Sequence, residues 1–181
     1  MHSPTVGFAL WILGLAAGAG SPTDGRFADC GPGGDSRTLK LEVSVDPTIV
    51  VATRSQERDL GAPHIATVRV TLTNPNAYPL RLNFPNPCFL GFRLETMDGK
   101  EMGGDGTVCI AMTAELTLAA GGKEAKTFRW DPRTWAGVYA PLEAGQYRIV
   151  GTLDKRYCGP DAKEEPPLRT APVLVEVRPP K

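Results

Sequence analysis

Residues 64–73 read HIATVRVTLT, and their pattern indicates the fold class. Val68, Val70 and Leu72 alternate there with polar residues, which is the period of two expected of a β-strand with one buried face. The next three residues, 74–76 (NPN), end the alternation with residue types that favour turns. The stretch therefore predicts a half-buried strand followed by a turn.

The same alternation recurs along the chain between short turns. Further strand patterns lie at 39–45, 80–84, 90–95, 100–102, 109–113, 115–118, 128–130, 147–153 and 173–177. The 20 glycines and 17 prolines make up about a fifth of the 181 residues, which suits many short strands. No window of eleven or more residues beyond the N-terminal segment shows a helical period. We predict an all-β fold, an antiparallel two-sheet sandwich of seven to nine strands.

Chain length and charge limit the number of domains and the classes of partner. We divide the chain into a signal peptide at 1–19, a flexible tail rich in Gly, Ser, Asp and Pro at 20–37, and one β-sandwich domain at 38–181. The 20 Lys and Arg residues balance the 20 Asp and Glu residues. Such a balance gives no reason to expect a nucleic acid or an anionic membrane as partner. We expect a monomer with a protein partner.

The N-terminal residues indicate export. Residues 8–17 (FALWILGLAA) form an apolar run of ten, and residues 17–19 (AGA) fit the small-residue pattern of a signal-peptidase site. The run is shorter than the roughly 20 residues that span a bilayer, so we expect cleavage and no stable membrane span. Residues 1–7 lack the usual basic residues. The expected location is periplasmic, extracellular or associated with the cell envelope.

Four cysteines follow the predicted cleavage point, namely Cys30, Cys88, Cys109 and Cys158. An even number of cysteines in an exported chain predicts two disulfides, for which three connectivities exist. We favour Cys88 with Cys109, because each lies beside a predicted strand and one hairpin separates them, which leaves Cys30 with Cys158. A zinc site is disfavoured, because the chain has no C-x-x-C and only His64 after the signal.

The residue types that carry catalysis do not combine into a recognisable constellation. His64 stands at the start of a predicted strand, and no G-x-S-x-G provides a nucleophile for it. Glu164 and Glu165 lie in a proline-rich charged loop, where we expect them to be solvated and not to act as general acids. We predict a chain that is not an enzyme and needs no cofactor.

Three methionines near the cysteines raise the question of a copper site. A cupredoxin-type site requires two histidines beside its cysteine, and the chain does not supply them. We therefore expect the methionines to fill gaps in the core. They are Met97, Met102 and Met112.

Aromatic residues in a long connection are the candidate binding residues. Trp135 and Tyr139 lie in the proline- and glycine-bearing connection 131–145, where large aromatics can serve as anchors for a partner. Trp130 has the same parity as Phe128 in a predicted strand, so we expect both in the core.

Five short segments occur in a characteristic order between residues 68 and 153. They are 72–76 (LTNPN), 92–100 (FRLETMDGK), 116–123 (LTLAAGGK), 128–130 (FRW) and 141–149 (PLEAGQYRI). Their N-x-N turn, aromatic strand ending in D-G-K, tryptophan and closing P-x-x-x-G-x-Y resemble the BsuPI-type intracellular proteinase inhibitor domain. The resemblance covers about half of the chain.

That resemblance implies an Ig-like β-sandwich and, for the founding type of the family, inhibition of a serine proteinase. This chain differs from the type in its export signal and in Cys88 and Cys109, which flank the D-G-K hairpin. The matching residues are of turn and core types, so no inhibitory site is transferred. We expect an exported binding module that docks through loops 85–88, 103–108 or 131–142, with proteinases among its partners. The alternative is a structural or adhesive Ig-like domain of the cell envelope without inhibitory activity.

Overall fold

A computed structural model of the protein describes residues 38–52, 64–133, 140–158 and 163–180. The predicted signal peptide and tail lie outside these ranges. Within them the regular structure consists of strands, which confirms the predicted all-β class. The strands are β1 (Lys40–Asp46), β2 (Ile49–Val51), β3 (Ala66–Thr73), β4 (Leu80–Phe84), β5 (Leu90–Glu95), β6 (Glu101–Gly104), β7 (Ala114–Leu118), β8 (Lys123–Trp130), β9 (Gly145–Leu153), β10 (Arg156–Cys158), β11 (Lys163–Glu165), β12 (Leu168–Arg169) and β13 (Val173–Arg178).

The described ranges contain thirteen strands, more than the seven to nine predicted. Four of them, β2, β10, β11 and β12, have only two or three residues, which is too short for an alternating pattern to be visible in the sequence. The nine longer strands match the predicted stretches except 109–113, which forms no strand. In the described part of the chain, no helix is long and apolar enough to cross a membrane.

The strands form three sheets. Sheet A has the order β1-β3-β8, sheet B the order β2-β13-β9-β5-β6 with β12 also on β9, and sheet C the order β11-β10-β4-β7. Neighbouring strands are antiparallel except for β2 and β13. β3 is the central strand of sheet A, where it pairs with β1 on one side and with β8 on the other.

The core lies between the inward faces of these sheets. The four inward side chains of β3 are fully buried, in agreement with the alternation in the sequence: Ala66, Val68, Val70 and Leu72. Trp130 and Phe128 of β8 are also buried, as predicted. The Phe128 ring meets the Phe92 ring of sheet B edge to face, with 5.4 Å between the ring centroids. Aromatic contact of this kind joins the two sheets.

Sheets A and B approach closely at Gly151 of β9. A Cβ atom added at Gly151 would lie 3.1 Å from the Cβ of Val43 and 3.4 Å from a Cγ of Val70. Both neighbours belong to sheet A, so this glycine lets β9 pack directly against β1 and β3.

Tyr147 fixes the turn that leads into β9. Its ring is buried, and its hydroxyl donates a hydrogen bond to the carbonyl oxygen of Glu143 at 2.9 Å. A tyrosine that bonds back to the backbone a few residues upstream is a feature of Ig-like sandwiches. Burial raises the pKa of Tyr147 above its usual value of 10.0, and the charge of Glu143 adds to this effect.

Tyr147→Phe should lower the free energy of unfolding by about 1 kcal/mol at neutral pH, because one partly buried hydrogen bond is lost. The raised pKa of Tyr147 means that its hydroxyl contributes stability below the pKa of the unfolded chain. That contribution disappears as the pH rises through the pKa of the folded state. Urea unfolding of both proteins at about pH 7 and about pH 11 should therefore show a smaller difference at the alkaline pH. A difference that does not change with pH would contradict this assignment.

Two predictions about solvent exposure are wrong. Met97 is 49% and Met112 56% exposed, because Met97 lies in the turn between β5 and β6 and Met112 in an irregular segment between sheets. Met102 does pack against the core. Glu165 is not solvated, since its side chain is 14% exposed and accepts a hydrogen bond from Arg156 at 2.8 Å.

Candidate functional site

A disulfide joins two loops at one end of the sandwich. Cys88 and Cys109 are bonded, with 6.0 Å between their Cα atoms, which confirms the favoured pairing. In the chain-entropy model, a bridge between residues 21 positions apart contributes about 3 kcal/mol to stability. The pairing of Cys30 with Cys158 stays a prediction, because Cys30 and the side chain of Cys158 lie outside the described residues.

The Cys88 side of this bridge is fixed to the body of the protein. The backbone N–H of Cys88 donates to Asn86 Oδ1 at 2.9 Å, and Asn86 Nδ2 donates to Asp154 Oδ2 at 3.1 Å. Asp154 follows β9, and its N–H donates to the carbonyl oxygen of Phe89. The Phe89 ring stacks on that of Phe84 with 4.2 Å between the centroids. Contacts with both sheet B and sheet C therefore hold the Cys88 side of the disulfide in place.

The other side of the bridge is the segment 105–113, which we call the apolar loop. It connects β6 in sheet B with β7 in sheet C and forms no strand. Val108 is 84%, Ile110 63% and Met112 56% exposed, whereas Cys109 between them is only partly exposed. Large apolar side chains thus stand at alternate positions around a covalent anchor. From Gly106 to Ala114 the chain contains no charged residue.

Local hydrogen bonds restrain the apolar loop on both sides of Cys109. Asp105 Oδ1 accepts from the N–H of Thr107 at 2.9 Å, and Gly106 adopts a positive φ of 67° that favours glycine. The N–H of Met112 donates to the carbonyl oxygen of Ile110 at 2.9 Å, which closes a tight turn. The loop therefore loses less conformational entropy on binding than a free loop of the same length.

A groove of about 850 Å³ lies beside the apolar loop. Its walls come from β5, β6, the start of the loop and the region after β9. The Asp105 carboxylate covers Gly91 on β5 so closely that an added Cβ would lie 2.5 Å from Asp105 Oδ2. Ion pairs of Arg93 with Glu101 and of Arg169 with Glu95 stand at its edge.

Both polar and apolar residues line the groove. Among the described residues that line it, none is a histidine. His64 lies elsewhere, with its Nδ1 2.8 Å from the carbonyl oxygen of Val51. Within the same described ranges, no three His, Cys, Asp or Glu side chains are grouped so as to hold a metal ion.

The structure brings two of the three predicted loops together. The disulfide joins Cys88 of the loop 85–88 to Cys109, the residue that follows the loop 103–108, and residues of both loops line the groove. In the third loop, Arg133 forms an isolated bridge with Pro141, while Trp135 and Tyr139 lie outside the described residues. The sequence interpretation missed Ile110 and Met112 as exposed residues, because it placed them in a predicted strand at 109–113. The sequence feature that set this segment apart was its lack of charged residues from Gly106 to Ala114.

Comparison with known proteins places the chain in no established family. No protein-family model and no curated protein matches it. The alkylpurine DNA glycosylase AlkC of Pseudomonas fluorescens is 11% identical, with a TM-score of 0.43 over 78% of this chain and 30% of that one. The C-terminal domain of Wzt is 10% identical, with a TM-score of 0.39 over 80% and 75% of the two chains.

A β-glucosidase from Listeria innocua in complex with gluconolactone is 14% identical, with a TM-score of 0.37. That match covers 77% of this chain and 16% of the glucosidase. This chain thus spans less than a third of the glycosylase and about a sixth of the glucosidase. Likenesses at this level carry no argument about function.

Proposed function

We propose that this chain is an exported, non-catalytic binding module that docks on a protein partner through the apolar loop. The observation that supports it most is the exposure of Val108, Ile110 and Met112 on a loop that a disulfide ties to the body. Large apolar groups that lie exposed together often mark a contact surface, because their burial against a partner releases water. Restraint by the bridge lowers the entropy cost of docking.

We further propose a proteinase as the partner class. The order of segments from 72 to 149 that resembles the BsuPI-type inhibitor supports this, and so does the form of the loop. Proteinases bind a peptide segment by inserting its side chains into specificity pockets. Val108, Ile110 and Met112 would suit apolar pockets, whereas the loop has no lysine or arginine for an acidic one. The Cys88–Cys109 bridge would also hold the loop in place if its backbone were cut.

The test is a titration of several proteinases with the purified chain, with its intact mass recorded alongside. We expect stoichiometric loss of activity for subtilisin-, chymotrypsin- or elastase-like enzymes, with the chain uncut, and none for trypsin-like enzymes. No inhibition by the folded chain across the panel would contradict the inhibitor proposal. It would favour the alternative of a structural or adhesive domain of the cell envelope.

Ile110→Asp should weaken such inhibition at least about 30-fold, because burying a carboxylate in an apolar pocket opposes docking. Its free energy of unfolding should stay within about 0.5 kcal/mol of the parent, since the side chain is exposed. The matched control is Leu174→Asp, which makes a comparable change at a 53% exposed leucine of β13, outside the groove and the loop. Equal inhibition constants for the two variants would show that the apolar loop is not the contact surface.

A further inference from the structure

The outer edge of β1 is a second accessible surface. In the described part of the chain, β1 pairs on one side only, with β3, from Lys40 opposite Thr73 to Asp46 opposite Thr67. A groove of about 630 Å³ runs along β1 between residues 41–44 and 170–173. An accessible strand edge presents backbone N–H and C=O groups that can pair with another strand.

The apolar side of β1 is incompletely covered. Leu41, Val43 and Val45 are half-buried, although the β3 residues opposite them are fully buried. These three side chains pack against the core, and among the described strands none pairs with the outer edge of β1. A strand added to this edge would bury them.

The sequence of β1 is complementary to itself in one antiparallel register. If two β1 strands pair around Val43, Lys40 of one copy lies opposite Asp46 of the other, and Leu41 lies opposite Val45. Glu42 then lies opposite Ser44. Opposite charges meet at both ends of the pair, and apolar residues meet on its inner face. Directly opposed residues of this kind are the units that stabilise antiparallel pairing.

We propose that two copies of this chain associate through β1, antiparallel and around a two-fold axis at Val43. The order of the joined sheet would be β8-β3-β1-β1-β3-β8. An axis normal to the sheet keeps the inner faces of both copies on the same side, so their half-buried rows become one apolar surface. One seven-residue strand per copy is a small interface, and we expect a dissociation constant in the micromolar range or weaker. This dimer replaces the expected monomer and does not depend on the apolar loop.

Charge exchange between the two ends of β1 tests the register. Lys40→Asp places aspartate opposite Asp46 at both ends of the pair, and Asp46→Lys places lysine opposite Lys40. Each variant alone should weaken self-association about tenfold or more. An equimolar mixture of the two restores opposite charges at both ends, so it should associate as tightly as the parent chain. Sedimentation velocity of the full chain over a concentration series at low ionic strength measures these constants.

Lys123→Asp is the matched control, because it makes the same charge change at the start of β8, the other edge strand of sheet A. It should leave self-association unchanged, and circular dichroism should show all variants folded. A parent chain that stays monomeric up to about 1 mM would overturn the proposal. A mixture that associates no more tightly than either variant alone, or a control that weakens association equally, would also overturn it.

Discussion

Replacement of Asn74 by aspartate is expected to lower the free energy of unfolding by about 4 kcal/mol or more. Asn74 is fully buried, and its Nδ2 donates to the carbonyl oxygens of Tyr78 at 2.8 Å, Ala119 at 2.9 Å and Leu118 at 3.3 Å. Aspartate has the same shape but no N–H donor. It would leave these carbonyls without their partner and place a negative charge among them.

The backbone and the side-chain oxygen of Asn74 join the same network. Its N–H donates to the carbonyl oxygen of Gly122 at 2.9 Å, and its Oδ1 accepts from the Asn76 side chain at 2.9 Å. One side chain thus holds the turn after β3 against the turn between β7 and β8. The N-x-N motif of the family resemblance therefore has a structural role, which is to join these two turns.

Urea unfolding of Asn74→Asp beside Asn83→Asp tests this role. Asn83 is half-buried on the outward face of β4, so the same chemical change there should cost about 1 kcal/mol or less. Acidification should reduce the difference in free energy of unfolding between the two variants, because a protonated carboxyl at position 74 regains one O–H donor. If the two variants lose free energies of unfolding that agree within about 1 kcal/mol, Asn74 does not have this structural role.

Arg156→Met is expected to lower the free energy of unfolding by about 3–5 kcal/mol, because it removes one partner of a buried ion pair. Arg156 is 1% exposed, and it donates to Glu165 Oε2 at 2.8 Å and to the carbonyl oxygen of Pro166 at 2.9 Å. Methionine fills similar space but leaves the largely buried Glu165 carboxylate without this cation. An uncompensated buried charge is far more costly than the loss of a surface ion pair.

The neighbouring ion pair provides the control. Lys155 Nζ lies 3.3 Å from Glu164 Oε2, and both side chains are about half exposed, at 42% and 53%. Lys155→Met should therefore lower the free energy of unfolding far less than Arg156→Met does. The double variant Arg156→Met, Glu165→Leu should recover at least half of the lost free energy of unfolding, because it also removes the Glu165 carboxylate. A cost for Arg156→Met no greater than that for Lys155→Met would rule out a structural role for the buried pair.

Local patterns in the sequence were enough to predict most of the long strands. The alternation in β1, β3 and β9 marked their buried faces correctly, because side chains of a strand point to opposite sides whatever it packs against. Asp98 and Gly99 marked the hairpin between β5 and β6, where Gly99 has a φ of 88°. The Cys88–Cys109 pairing followed from the position of this hairpin between the two cysteines.

Local patterns were misleading for residues whose pairing or burial depends on distant parts of the chain. Residues 109–113 are mostly apolar and were predicted as a strand, yet the segment crosses between sheets B and C and forms no ladder. Its apolar side chains are consequently exposed, and Met112 is one of them. Glu165 looked like a surface residue until Arg156, nine positions away in a pairing strand, was placed against it.

Local patterns thus predicted the all-β class, the inward faces of the strands that alternate and one disulfide, because these depend on side-chain period and on neighbours close along the chain. Long-range contacts were needed to show that Asn74 and Arg156 are buried, that the apolar loop is exposed and that, among the described strands, none pairs with the outer edge of β1. Burial is a property of the segments that meet in space, and the carbonyl groups that bind the Asn74 side chain come from up to 45 positions away.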